Sequence, residues 1–331
     1  MLIPVILFAV GLLCLIKGGD WFVDGAAGIA RRFRLPELLI GATIVSIGTT
    51  LPEVMVSATD AVTGMGQIAY GNAIGSIICN TALIAAITIA VRPGKINRAT
   101  LITPVIAFFA AAAFYVAVSY IYGSFSRITG IILLCMFVIY MAVTVFQMKK
   151  GGDTRAEDEP EPEKNQIEAD SKKLLVRYIL GLVVGAALIA VGAKLLVDNG
   201  TIIAENLGVP QSVIALTFVA LGTSLPELVT AITALAKGHS ALSLGNIIGA
   251  NLFNLVLVSG LSITLKPFDI PVEATIGGYN ASLVLDIPVM IFVMAFMTLP
   301  ALIRGKLSRF QGIVLLAVYA VYCFVQFAVI P

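Results

Sequence analysis

Gly41-Ala-Thr-Ile-Val-Ser-Ile-Gly-Thr-Thr-Leu-Pro-Glu53 recurs as Ala215-Leu-Thr-Phe-Val-Ala-Leu-Gly-Thr-Ser-Leu-Pro-Glu227, at an offset of 174 residues. The same offset pairs Asp24 with Asp198, Pro36 with Pro210, Gly64 with Gly238, and Asn80 with Asn254. It also pairs Gly71-Asn72-Ala-Ile-Gly75 with Gly245-Asn246-Ile-Ile-Gly249. About a third of the positions from Gly18 to Ile84 match their partners without a gap, more than shared hydrophobicity gives, so the chain is a duplication.

The duplicated stretches lie in a chain made for lipid. Of 331 residues, 59% are hydrophobic and 12% charged, and the mean hydropathy of +1.01 excludes a water-soluble globule. Apolar runs bounded by Pro, Gly and charge predict ten spans, at about 2–30, 36–63, 67–91, 99–122, 128–148, 174–204, 210–236, 240–265, 279–302 and 307–329. The first run has no basic n-region and is read as a retained span, not a signal peptide. Cys14, Cys79, Cys135 and Cys323 stand apart in apolar runs with no C-x-x-C, and read as free thiols.

Ten spans place 17 of the 21 Lys and Arg in one set of alternate loops, with Arg127 and Lys266 in the other set and Lys17 and Lys194 inside spans. By the positive-inside rule the basic loops are cytoplasmic and both termini lie outside. The expected location is a prokaryotic cytoplasmic membrane. Residues 1–149 form the first five-span unit, with its repeat core at about 36–84. Residues 150–173 read as a loosely held acidic cytoplasmic linker, and 174–331 as the second unit, with its core at about 210–258. Five is odd, so the second unit enters the membrane from the opposite side. Inverted repeats are the plan of many secondary transporters, whose sites lie at the midplane where the repeats meet.

Glu53 and Glu227 each fall about 17 residues into a span, near mid-membrane. An unpaired charge there costs on the order of 3 kcal/mol. No Lys or Arg is available at that depth, so the natural partner is a bound cation. Pro52 and Pro226 cannot donate to the carbonyls of Gly48 and Gly222, which predicts kinked or broken helices with carbonyls facing a cavity. Ser46, Thr49, Thr50 and Glu53, with Thr223, Ser224 and Glu227, supply carboxylate, hydroxyl and carbonyl oxygens, the donors of hard cations such as Ca2+ and Na+. Asn72, Ser76 and Asn80 share a helical face, matched by Asn246, Ala250 and Asn254. The deeper pair, Asn80 and Asn254, reads as part of the cation site. Asn72 and Asn246 read equally well as helix glue. Asp24 and Asp198 read as structural, and Asp20, Asp60, Asp286 and Lys194 carry no assigned role. The sole histidine, His239, is expected to be merely solvated.

Together these motifs resemble the two α-repeats of the sodium/calcium exchanger family, within the cation/calcium antiporters. The resemblance covers the ten-span plan and is most specific over about 36–84 and 210–258. It implies an all-α polytopic fold of two inverted five-helix repeats with broken helices at the midplane. It also implies Ca2+ and Na+ binding in alternation by Ser46, Thr49, Thr50, Glu53, Ser76 and Asn80, with the Ala220 carbonyl, Thr223, Ser224 and Glu227 from the second repeat. The chain departs from the family pattern where a serine and an aspartate are common, at Ala250 and Asn254. No resident cofactor is implied.

Proton/calcium antiport is the alternative, because carboxylates carry protons as readily as Na+. An intramembrane enzyme has no support: there is no H-E-x-x-H and no nucleophile beside a candidate base. A channel would need neither inverted repeats nor a counter-ion.

The linker reading makes the first prediction. A cysteine placed within 151–173 is labelled only from the cytoplasmic side of the membrane, and shortening the segment leaves ion flux intact. Labelling of intact cells from outside contradicts the topology.

Overall fold

The computed structural model describes residues 2–155, 167–207, 222–272 and 274–328. Among them are ten helices: α1 Leu2–Arg32, α2 Glu37–Thr63, α3 Gly66–Val91, α4 Arg98–Tyr122, α5 Arg127–Arg155, α6 Ile167–Asn206, α7 Leu225–Ala236, α8 Ser240–Leu265, α9 Ser282–Arg304 and α10 Arg309–Ala328. Among the described residues nine of them include a stretch long and apolar enough to cross a membrane, and α7 is the shorter apolar helix. The first part of the span expected at 210–236 lies outside the described residues.

Helix ends follow local chemistry. Both α2 and α7 stop at a glycine of positive φ, Gly64 at 94° and Gly238 at 85°, one repeat apart. In each, the next residue's N–H reaches back across the turn, Met65 to Asp60 O at 2.7 Å and His239 to Ala234 O at 2.8 Å. Asn97 caps α4 by accepting the Ala99 N–H at 2.9 Å.

The helices do not stop at the membrane boundary near the acidic linker. Helix α5 runs on to Arg155 and α6 starts at Ile167, within the segment read as the linker; residues 156–166 lie outside the described residues. A helix already nucleated in the bilayer propagates cheaply into strong helix formers such as Glu168, Ala169, Lys172 and Lys173.

The turns sort by charge. At one end of the bundle Ile96 N donates to Gly305 O at 2.9 Å and Leu307 N to Gly94 O at 2.9 Å, joining the α3–α4 and α9–α10 turns. At the same end Arg92 donates to Leu235 O at 3.3 Å, and His239 lies 2.7 Å from Glu37. The histidine is therefore a partner of Glu37 and not merely solvated, because the α7–α8 turn seats it against the start of α2. At the other end a short ladder pairs β1 Ser124–Phe125 with β2 Phe268–Asp269, and a hairpin joins β3 Thr275–Ile276 to β4 Tyr279–Asn280.

The protein is thus an all-helical membrane protein of two inverted repeats. Helices α8 and α3 form its centre, with 83% and 72% of their spans buried, against 11% for α6 and 17% for α10 at the periphery. Helices α1 and α6 pair closely. Gly11, Gly18 and Gly25 recur every seven residues along α1 and face Gly192, Gly185 and Tyr178 of α6. A Cβ at Gly18 would stand 2.9 Å from Gly185 O, so only small residues permit this backbone approach.

Gly18→Ala and Gly185→Ala are each expected to destabilise the purified protein by about 1–3 kcal/mol, read as a lower Tm. Gly94→Ala, where added volume meets open space, should leave Tm unchanged.

Candidate cation site

Four helices build the site, α2 and α3 from the first repeat and α7 and α8 from the second. Three of them, α2, α3 and α8, interrupt regular α geometry beside a site residue. A π-helical turn at Gly41–Val45 precedes Ser46, one at Asn80–Ala85 begins on Asn80, and one at Asn254–Val258 begins on Asn254. Such turns widen the helix and recur at functional sites. In the first repeat the chain stays α-helical through Pro52, from Ser46 to Thr63, so the irregularity sits upstream of the proline. In the second, helix α7 begins only at Leu225, and Pro226 occupies its first turn, where a missing N–H costs nothing.

Glu53 and Glu227 are fully buried and close enough to interact electrostatically, and Glu227 also faces Thr49 and Thr50. Neither glutamate forms an ion pair among the described residues, and neither has a hydrogen-bond partner on any of its carboxylate oxygens. The Thr50 and Ser224 hydroxyls and both ends of the Asn80 and Asn254 amides are likewise buried without partners. Buried polar atoms in native proteins are nearly always satisfied, so this concentration of lone donors and acceptors marks a place built for a ligand. Two carboxylates among hydroxyl and amide oxygens suit a hard cation. Among the described residues no cluster of three or more His, Cys, Asp or Glu side chains exists, so a transition-metal centre is not what these donors make.

The two repeats are tied across this cluster by a pair of matching bonds. Thr49 Oγ1 donates to Asn246 Oδ1 at 3.2 Å, and Thr223 Oγ1 donates to Asn72 Oδ1 at 3.3 Å. Thr49 and Thr223 are repeat counterparts, as are Asn72 and Asn246. A threonine hydroxyl whose proton points at an amide oxygen keeps its lone pairs for a cation. Asn72 and Asn246 therefore join the repeats, each through the hydroxyl of a threonine that is itself a candidate ligand. Asn72 is itself held by donating to Ser57 Oγ at 2.8 Å, a buried serine that sequence reasoning passed over because its counterpart, Ala231, is not polar.

Ser46 is placed differently from Thr49. Its hydroxyl lies 2.8 Å from Gly41 O and 2.9 Å from Asn246 O, and 3.3 Å from the Asn246 Oδ1 that Thr49 also reaches. Ser76 is buried one turn before Asn80 on α3. Ala220 lies outside the described residues, and Ala250 is fully buried between Asn246 and Asn254. Asp24 and Asp198, read as structural, both sit in ion pairs, with Lys237 at 2.8 Å and with Lys194 at 2.9 Å.

Comparison with known proteins gives a consistent result. The family described as sodium/calcium exchanger protein matches residues 3–146 and 177–328. A solved structure of the sodium-calcium exchanger NCX_Mj, soaked with 2.5 mM Na+ and 10 mM Sr2+, aligns with a TM-score of 0.80 and 31% identity over 97% of each chain. The inner membrane protein YrbG of Escherichia coli is 34% identical over 87% of either chain. The sodium/calcium exchanger MaX1 of Methanosarcina acetivorans is 29% identical over 97% of this chain and 98% of its own.

The paired cross-repeat bonds are testable without any ion. Thr49→Val and Asn246→Ala should each lower stability, and their double-mutant cycle should show a coupling of about 1 kcal/mol in thermal or denaturant unfolding. The same cycle between Thr49 and Asn72 should show none.

Proposed function

The chain belongs to the sodium/calcium exchanger family, and on that premise we propose that it exchanges Ca2+ for Na+ by alternating access at the cluster around Glu53 and Glu227. It is an integral membrane cation antiporter and not an enzyme. The observation that carries the finer reading is the burial of two carboxylates together, with no cationic side chain paired to either among the described residues. One Ca2+ or two Na+ would neutralise their charge of about −2. Glu53, Glu227, Thr49, Thr50, Thr223, Ser224, Asn80 and Asn254 supply the donors, with Ser76, Ser46 and the Ala220 carbonyl completing the set. The two five-span units flank it, with both termini outside and the acidic linker in the cytoplasm.

The empty site should be trapped. Two unpaired carboxylates crossing the low-dielectric barrier bear the desolvation cost twice, so the two access states interchange readily only when cations are bound. That coupling separates an antiporter from a leak. Hydroxyls and amides around the carboxylates favour Na+ over a proton as the counter-ion, because a proton needs only the carboxylate.

In reconstituted vesicles, Ca2+ efflux should rise with external Na+ with a Hill slope above about one, and should be nearly absent when neither Na+ nor Ca2+ is on the far side. An imposed Na+ gradient should drive Ca2+ uptake where an imposed pH gradient does not. Flux driven by pH alone would transfer the reading to proton/calcium antiport. Glu53→Gln or Glu227→Gln should abolish exchange while leaving a folded protein, since each removes half of the anionic charge that replaces the ion's hydration shell. Near-normal Ca2+ exchange in either variant would sink the site assignment.

A further inference from the structure

In a carrier of inverted repeats, the second access state arises when the two halves trade conformations, so each contact at one membrane face has a mirrored contact at the other. The 174-residue offset names the mirrored residues directly. At the basic end of the bundle, Lys237 at the close of α7 reaches α1. Its Nζ lies 2.8 Å from Asp24 Oδ1 and 3.2 Å from Asp20 Oδ1, and it donates to the Asp20 carbonyl at 3.1 Å. The mirrored positions are Thr63 for Lys237, Lys194 for Asp20 and Asp198 for Asp24. Thr63 has no charge to offer, and Lys194 is already paired with Asp198 within α6 at 2.9 Å. This latch has no mirror image.

A second asymmetry points the same way. Gly19 lets α1 lie against α7, since a Cβ there would stand 2.8 Å from Thr233 Oγ1. The mirrored contact would set Ala193, which carries that Cβ, against Thr59. Both the ion pair and the close approach therefore belong to one state alone.

We infer that Lys237, Asp20 and Asp24 form a one-sided latch that ties α7 to α1 at the cytoplasmic end of the bundle and biases the carrier toward the access state in which that contact is made. The inference rests on the alternating-access reading above and on the orientation given by the basic loops. Lys237 is 27% exposed and its partners 39% and 61%, which places the pair among partly solvated bridges. Its expected effect on the balance of the two states is about two- to five-fold. A bias is not a lock, so exchange still turns over. The bias appears as unequal apparent affinities at the two faces, because an ion binds only the fraction of carriers open to its side.

The test uses the full chain in vesicles of known orientation, with half-saturating Ca2+ measured on each face in turn. Lys237→Met should shift the outside-to-inside ratio of half-saturation by about two- to five-fold while leaving the maximal rate of exchange similar. Thr63→Lys combined with Lys194→Asp sets a cation opposite two carboxylates at the mirrored position, and should move the ratio in the same direction. Lys237→Arg should keep the original ratio. Should Lys237→Met not fold, Asp20→Asn with Asp24→Asn reads the same quantity. An unchanged ratio on removing the latch, or a shift in the opposite direction on building the outer one, overturns the inference. Absence of Ca2+ flux in the unaltered chain would refute the functional reading and take this inference with it.

Discussion

Two carboxylates held in a low-dielectric interior, without a basic partner among the described residues, are the constraint around which this protein is organised. Glu53 and Glu227 are tolerable there only with donors and cations close by. The hydroxyls of the two Thr-Thr/Ser-Leu-Pro-Glu motifs, the amides of α3 and α8, and the π-helical turns beside them all converge on that requirement. The close packing of α8 on α2 serves it too, because Gly245 and Gly249 let backbone approach backbone where a side chain would intervene. Without that approach Asn246 could not reach Thr49.

Duplication explains how such a site arises, and divergence explains how it acquires direction. Thr49–Asn246 and Thr223–Asn72 are one bond made twice, each crossing from one repeat to the other, so the centre retains the symmetry of the duplication. The periphery does not. Ser57 against Ala231, Gly19 against Ala193 and Lys237 against Thr63 are places where the halves have drifted apart. A difference near the centre changes the candidate ligand set, whereas the difference between α1 and α7 changes which contacts join the two repeats.

The pairing of α1 with α6 belongs to the same economy of small residues. Glycines spaced by seven allow two long, lipid-exposed helices to touch along their backbones. They meet the remaining helices near the two prolines, where Phe22 lies against Gly48.

The sequence by itself determined the spans, the duplication, the segregation of basic loops and the two mid-membrane glutamates. Those features depend on composition and spacing, and a helix of known rise converts spacing into depth. It also singled out Asn72 and Asn246 through the repeated Gly-Asn-x-Ile-Gly, without saying what they do. Only the tertiary structure decided that each amide meets the threonine of the opposite repeat, that Ser46 reaches Asn246, that His239 meets Glu37, and that Lys237 bridges to α1. These contacts join residues about 150 to 220 positions apart. No local propensity encodes such a pairing; it exists because helix packing fixes which side chains share a small buried volume.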